Sequence, residues 1–322
     1  MENREEKRQL RLAQRQKTVR RQKILIGVGS AAVILAIVLF VVLGSRPKGE
    51  QKDIVATPIP DQTTSSVQKV ESTVAEPAVS PTGEPTPAVD KTEADRRKLI
   101  ELDPDNKEWN FGETGEKVIY LTFDDGPSPY TPQVLDILDR YGVNATFFIT
   151  AQRPDCFDYI KDAYDRGNTI GLHSYSHEYE QVYASEEAFF EDLEAIGRLA
   201  EEKIGYVPAI IRFPGGSSNE TSKLYTQGIM SALAPKVNEM GYQYWDWNAV
   251  TGDGAEDVTA EDEVKNALSF DQNTIVLLLH DGDTKENTVT ALPEIIEGFK
   301  NQGYTFKVLD RNATVVHHAI MN

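Results

Sequence analysis

The chain has 322 residues, 33 Lys/Arg against 51 Asp/Glu, and a formal net charge of −18. Such acidity argues against nucleic acid as a partner. The single cysteine, Cys156, leaves no internal disulfide, so the fold must be stabilised by its core alone.

Composition divides the chain unevenly. Residues 1–23 carry nine Lys/Arg and three Glu, a basic tail of net +6. Residues 24–43 (ILIGVGSAAVILAIVLFVVL) are uncharged and number 20, enough to span a bilayer as a helix. The 279 residues after them hold 24 basic and 48 acidic side chains. Basic residues before the span and few just after it (Arg46, Lys48) predict a cytoplasmic N-terminus, a single-pass cell-membrane protein and an extracellular remainder. The apolar run exceeds the length of a signal-peptide core, and no small-residue cleavage pattern precedes Arg46, so an uncleaved anchor is expected.

Residues 44–98 contain seven of the sixteen prolines, twelve Ser/Thr and no aromatic residue. A segment with nothing to build a core from is expected to be disordered, with a relaxed span of roughly 40 Å. It reads as a tether between the anchor and a folded domain at 99–322.

From Lys117 the pattern becomes regular. Strands are expected at 118–123, 144–150, 169–173, 209–213, 242–250, 274–280 and 304–309. Between them lie helical patterns at 131–141, 155–166, 185–204, 222–240, 259–269 and 288–302. Ser185 reads as an N-cap with Gly205 past that helix's end, and Thr131-Pro132 and Gly142 bracket the first helix. Strand–helix alternation with apolar strands predicts an α/β fold of parallel strands covered by helices. A (β/α) barrel suits the length, and a doubly wound open sheet is the competing topology.

Polar residues recur at the C-terminal ends of these strands: Asp124 and Asp125, His173, Arg212, Asp253 and His280. In a barrel those ends ring one mouth. Thr122-Phe123-Asp124-Asp125-Gly126-Pro127 ends the first strand in a turn, and neighbouring strand residues point to opposite sides, so the two carboxylates are expected to do different work. In His173-Ser174-Tyr175-Ser176-His177, two imidazoles four residues apart can converge on one ion. Two histidines and one carboxylate leave a coordination position open for water, the minimum set for metal-assisted hydrolysis. Arg212 beside an aspartate would keep it ionised, and the Pro214-Gly215-Gly216 turn can turn a backbone N–H toward an oxyanion. His280 is a candidate proton donor. Taken singly, each motif also has a plainer reading as a turn or a satisfied core residue.

With these motifs in order, residues 115–310 resemble the carbohydrate esterase family 4 polysaccharide deacetylases, the NodB-homology family. Thr122–Pro127 and His173–His177 match its first two motifs, Arg212–Pro214 the core of the third, Asp253 the aspartate of the fourth, and Leu278-Leu279-His280 the fifth. The resemblance implies a distorted (β/α) barrel that hydrolyses N-acetyl, sometimes O-acetyl, groups on sugars. It implies Asp125, His173 and His177 as ligands of a divalent metal, zinc or cobalt, and Asp124 as the base on the attacking water. Arg212 would hold Asp124, the Gly215 N–H would meet the oxyanion, and His280, tuned by Asp253, would be the acid. Two departures stand out: Gly215 and Gly254 occupy positions where the family commonly has tyrosine and tryptophan. Tyr175, Trp247 and Leu278 are candidates for the substrate groove, with Trp245 or Trp247 available to replace a lost aromatic wall. The implied substrate is a polysaccharide, with peptidoglycan N-acetylglucosamine favoured by the outward-facing tether. Alternatives are an O-acetyl xylan or exopolysaccharide esterase, or an inactive glycan-binding module.

Overall fold

A computed structural model describes residues 93–322 apart from Glu113 and Glu256. The basic tail, the apolar segment 24–43 and residues 44–92 of the expected linker lie outside the described residues. Among those described, no helix is long and apolar enough to cross a membrane.

The composition-based linker boundary at 98 is corrected: Glu93–Ile100 form a helix, α1. Two cation–π contacts attach it, Arg96 over Tyr164 and Arg97 over Tyr206, at 4.7 and 5.2 Å, and Ile100 is buried. Prolines cease before this stretch, and its two arginines find rings contributed by distant parts of the chain.

The described residues build one parallel sheet with helices against it. In chain order the elements are β1 Val118–Asp124, α2 Thr131–Tyr141, β2 Thr146–Thr150, α3 Asp158–Asp165, β3 Thr169–Ser174, α4 Tyr179–Val182 and α5 Glu186–Ile204. There follow β4 Ile210–Ile211, α6 Ile229–Glu239, β5 Gln243–Tyr244, β6 Ala249–Val250, α7 Ala260–Ala267, β7 Thr274–His280, α8 Glu286–Asn301 and β8 Thr305–Phe306. Strand order is β5-β4-β3-β2-β1-β7-β6, with β8 also pairing β1. Every residue of β1 and β2 is buried, as expected of strands covered on both faces.

The sheet curls as a distorted half-barrel, because β5 and β6 are its two ends and do not pair with each other. One expected strand, 242–250, is therefore two. Between them the backbone turns away from the sheet, and the carbonyls of Trp245 and Asp246 accept from the Arg212 guanidinium. The C-terminal segment lies against this seam: Asp246 N–H donates to Val316 O, and Trp245 Nε1 to Thr314 O.

Helix ends follow local chemistry. Ser185 caps α5 by accepting from Ala188 N, and Gly205 closes it at φ 83°. The cap expected at Thr131 is not one: α2 has no side-chain cap, and Thr131 instead donates to Asp281. The expected helix 222–240 is interrupted by Gly228 in the left-handed region, leaving a short 3-10 turn and then α6. Of the expected strand 304–309, only Thr305–Phe306 pairs.

Candidate active site

Asp124 is the last residue of β1 and pairs in register with His280, the last of β7. Adjacent strands lie about 4.8 Å apart, so both side chains start at one mouth of the sheet. Asp125 follows with φ 72°, a left-handed backbone rare outside glycine. The twist undoes strict alternation and brings Asp125 to the same site as Asp124. His177 is the other non-glycine residue with positive φ (53°) among those described. Such conformations cost about 1–3 kcal/mol each and persist where surrounding contacts impose them.

His173, Asp125 and His177 converge. Asp125 Oδ1 lies 3.6 Å from His173 Nε2 and 3.2 Å from His177 Nε2, and the three candidate ligand atoms fall within 4.8 Å of one another. His173 Nδ1 is 2.7 Å from the Arg212 carbonyl oxygen. A carbonyl only accepts, so Nδ1 carries the proton and Nε2 presents a lone pair toward Asp125. Burial, reinforced by His177, lowers His173 to about 3, which keeps it neutral. Asp125 Oδ1 is itself buried without a hydrogen-bond partner. An orphaned carboxylate oxygen facing an imidazole lone pair is an arrangement a cation satisfies, and the two-His, one-Asp donor set suits a divalent transition metal.

Asp192 of α5 builds the loop between the two histidines. Its Oδ2 accepts from Ser174 Oγ (2.6 Å) and Tyr175 N (2.8 Å), and its Oδ1 from Ser176 N (2.9 Å). Ser174 Oγ in turn accepts from His177 N. No sequence motif marked Asp192; it lies fifteen residues beyond the histidines, inside an amphipathic helix.

Arg212 has no exposed surface. Its Nη1 donates to Asp124 Oδ1 and Thr122 Oγ1, both at 2.8 Å, and Nε and Nη2 take the two seam carbonyls. The cation also lies 4.2 Å from the Phe148 ring centroid. Burial pushes the Asp124 carboxyl up, against the opposing pull of Arg212. Gly215 has φ 77°, and its N–H has no hydrogen-bond partner among the described residues. Asp246 holds the following turn by accepting from Ser217 N at 2.7 Å and from Ser217 Oγ.

Opposite, Asp253 Oδ1 lies 2.9 Å from His280 Nδ1, and Oδ2 accepts from His280 N. Thr288 Oγ1 and Lys285 Nζ add contacts to the side chain and carbonyl of Asp253. Burial opposes a charged His280, but the Asp253 contact and then Asp124 and Asp125 prevail and raise it to about 9. Glu263 of α7 is pushed up to about 7, first by burial and then by Asp253.

A buried ion-paired aspartate, an Asp/His/His cluster and a histidine hydrogen-bonded to a second aspartate, gathered at one mouth of the sheet, form a hydrolase-like set. The polysaccharide deacetylase model matches residues 111–230. A peptidoglycan-N-acetylglucosamine deacetylase from Bacillus cereus is 37% identical over 200 residues, covering 59% of this chain and 85% of that protein. The chain belongs to the polysaccharide deacetylase family. A peptidoglycan-N-acetylmuramic acid deacetylase from Bacillus subtilis is 31% identical over 212 residues, 62% of this chain and 72% of that one. The catalytic domain of a peptidoglycan N-acetylglucosamine deacetylase from Eubacterium rectale superposes with TM-score 0.65 at 43% identity, covering 68% of this chain and all of that domain.

In this polysaccharide deacetylase Asp124, Asp125, His173, His177 and Arg212 are brought together, with the Asp253–His280 pair beside them. The groove candidates separate. Tyr175 is exposed between the two histidines, and Leu278 is half-buried two residues before His280, on the same face. Trp247 is half-buried against His318 and would touch any Cβ placed on Gly216. Trp245 has no exposed surface and is core, so it replaces no groove wall. A Cβ on Gly254 would stand 3.8 Å from His280 Cε1, so the space above that imidazole is open.

Tyr179 went unmarked in the sequence. Its ring meets His177 edge-on at 6.0 Å, and a Cβ on Gly215 would run into its hydroxyl. Burial and then Asp125 and Asp124 push its phenol up to about 12.

Proposed function

We propose that this deacetylase is a metal-dependent N-deacetylase of peptidoglycan N-acetylglucosamine, and that residues 24–43 anchor it in the cell membrane with the domain outside. The observation that carries the chemistry is the orphaned Asp125 Oδ1 facing the two imidazoles, with a base candidate and an acid candidate on either side. The substrate follows from the relatives in Bacillus cereus and Eubacterium rectale, whose substrate is that sugar. The anchor and a tether formed by residues 44–92 would put the domain in reach of a wall polymer.

Asp125, His173 and His177 would hold the ion, zinc or cobalt. When bound, it supplies Lewis acidity toward the acetyl carbonyl and the attacking water. Asp124, oriented by Arg212, takes a proton from that water. The unpartnered Gly215 N–H donates to the oxygen that gains charge as the carbonyl carbon becomes tetrahedral. The imidazolium of His280, set by Asp253, gives a proton to the sugar nitrogen as the C–N bond breaks. The products are acetate and a free amine.

Acetate release by the purified full chain tests this, on peptidoglycan, chitooligosaccharides and acetylated xylan, with added zinc or cobalt and with chelator. Chelator-sensitive acetate from the N-acetylated glycans is expected. Acetate from xylan alone would make the chain an O-esterase, and none from any glycan despite bound metal would make it a binding module.

A further inference from the structure

We propose that the Tyr179 hydroxyl is a substrate-binding donor that contacts the acetylated sugar from the Gly215 side of the site. The inference deepens the deacetylase reading and rests on it.

Three observations converge on this hydroxyl. First, it has no hydrogen-bond partner among the described residues, although the ring is only partly exposed. The neighbouring phenol of Tyr183 is, by contrast, fully buried and donates to the Pro214 carbonyl at 2.8 Å. Two tyrosines meet edge-on at 5.5 Å, yet one is bonded inward and the other is left free. Second, the hydroxyl stands over Gly215, where a Cβ would collide with it, and Cζ would lie 3.4 Å from that Cβ. Glycine at 215 thus does two things: it accepts φ 77°, and it leaves room for a phenol supplied by α4. Third, the same ring lies edge-on to His177, a member of the Asp/His/His cluster. Tyr179 therefore borders the candidate oxyanion donor with its hydroxyl and a candidate metal ligand with its ring.

A phenol is a neutral O–H donor at ordinary pH. A sugar carrying an acetamido group offers hydroxyl and carbonyl acceptors, and binding it would satisfy the one polar atom of Tyr179. Position 179 is fixed by the sequence: Glu178 leads into α4 directly after the histidine loop that Asp192 holds. The donor is thereby built into the same rigid unit as His177.

Tyr179→Phe removes the hydroxyl and keeps the ring contacts with His177 and Tyr183. On a chitooligosaccharide, KM is expected to rise about three- to tenfold, the worth of one neutral hydrogen bond, with kcat within about twofold. A second readout is independent of turnover: calorimetric affinity of the metal-free full chain for the same oligosaccharide should fall by the same factor. Zinc affinity should not change. Unaltered KM and unaltered oligosaccharide affinity in Tyr179→Phe would overturn the proposal and leave Tyr179 as packing. A fall in kcat alone would also overturn it, because the hydroxyl would then act only in the transition state. If the wild-type chain binds the oligosaccharide without releasing acetate, the deacetylase reading fails, while a weakened affinity in Tyr179→Phe still upholds the contact. If wild type neither binds nor turns over, both fail.

Discussion

Asp253 grips His280 at two points, its Oδ1 2.9 Å from the imidazole Nδ1 and its Oδ2 2.7 Å from the backbone nitrogen. Side chain and main chain of the histidine are thus fixed by one carboxylate, and the free Nε2 is the only ring atom left for chemistry. The pair raises His280 to about 9 against the cost of burial. An acid must be protonated, so turnover should hold through neutral pH and fall as pH rises through about 9. Asp253→Asn removes the charge but not the burial, so the imidazole should return to about 6.5 or below. At pH 7.5 the protonated fraction, and with it turnover, then drops about tenfold or more. Stability follows the same sign: the contribution of the pair is full below 6.5 and lost as pH rises through 9. Profiles of kcat/KM against pH for wild type and Asp253→Asn decide it; an alkaline limb that stays put in the variant would remove His280 from the acid role.

Arg212 and Asp124 test a different balance. The guanidinium is buried with four hydrogen bonds, of which one goes to a carboxylate. Asp124→Asn keeps the shape but removes the base, and turnover should fall about 10²- to 10⁴-fold while zinc still binds. It also leaves a buried cation without its counter-charge, which costs about 3–5 kcal/mol. Arg212→Lys retains charge but cannot fork to Trp245 O, Asp246 O, Thr122 and Asp124 together. Both variants should melt lower than wild type, whereas only Asp124→Asn should keep its Arg212-held seam. Equilibrium dialysis with zinc, run beside thermal unfolding, separates lost base from lost fold. Retained turnover in Asp124→Asn would end the base assignment.

The histidine loop owes its shape to Asp192, which accepts two backbone N–H groups and the Ser174 hydroxyl. Asp192→Ala leaves all three donors without their acceptor and should loosen the strained backbone at His177. Supports of this kind typically change metal affinity 10- to 100-fold. A zinc competition titration should show a loss in that range, with Asp192→Asn intermediate because one oxygen survives. Unchanged zinc affinity would mean that the loop holds without its anchor.

How far these contacts were legible depends on their distance along the chain. Asp124, Asp125, His173 and His177 sit in two contiguous motifs at strand ends, where pattern and turn chemistry could be read together. The parallel strands β1, β2, β3 and β7 were legible because each is apolar on both faces. Asp192, Asp246 and Thr288 carried no such signal, since each is an ordinary polar residue until folding brings it to a loop far away in sequence. The split of 242–250 was hidden for the same reason: its residues have strong strand character, but Arg212 claims the carbonyls that a continuous strand would have paired. Tyr179 was hidden by Gly215, because only the folded backbone reveals whose side chain fills a space that glycine leaves.

Asp281 completes the picture at the rim of the site. Its carboxyl is fully buried, Oδ2 accepts from Thr131 Oγ1 at 2.5 Å, and Oδ1 has no partner. Burial, and then the nearby Asp125 charge, pushes it up to about 7, with the Thr131 contact opposing. Here the folded-state value lies above the unfolded one for an acid, so the folded chain holds the proton that the unfolded chain has released. Between about pH 4 and pH 7 the native state binds more protons, and stability therefore falls as pH rises across that window. Asp281→Asn should be more stable than wild type above pH 7 and about equal to it near pH 4, because an amide mimics the protonated acid and still accepts from Thr131. Denaturant midpoints at pH 4, 6 and 8 measure the difference. Parallel pH dependence in the two proteins would mean that Asp281 ionises normally, and that some group outside the described contacts neutralises it.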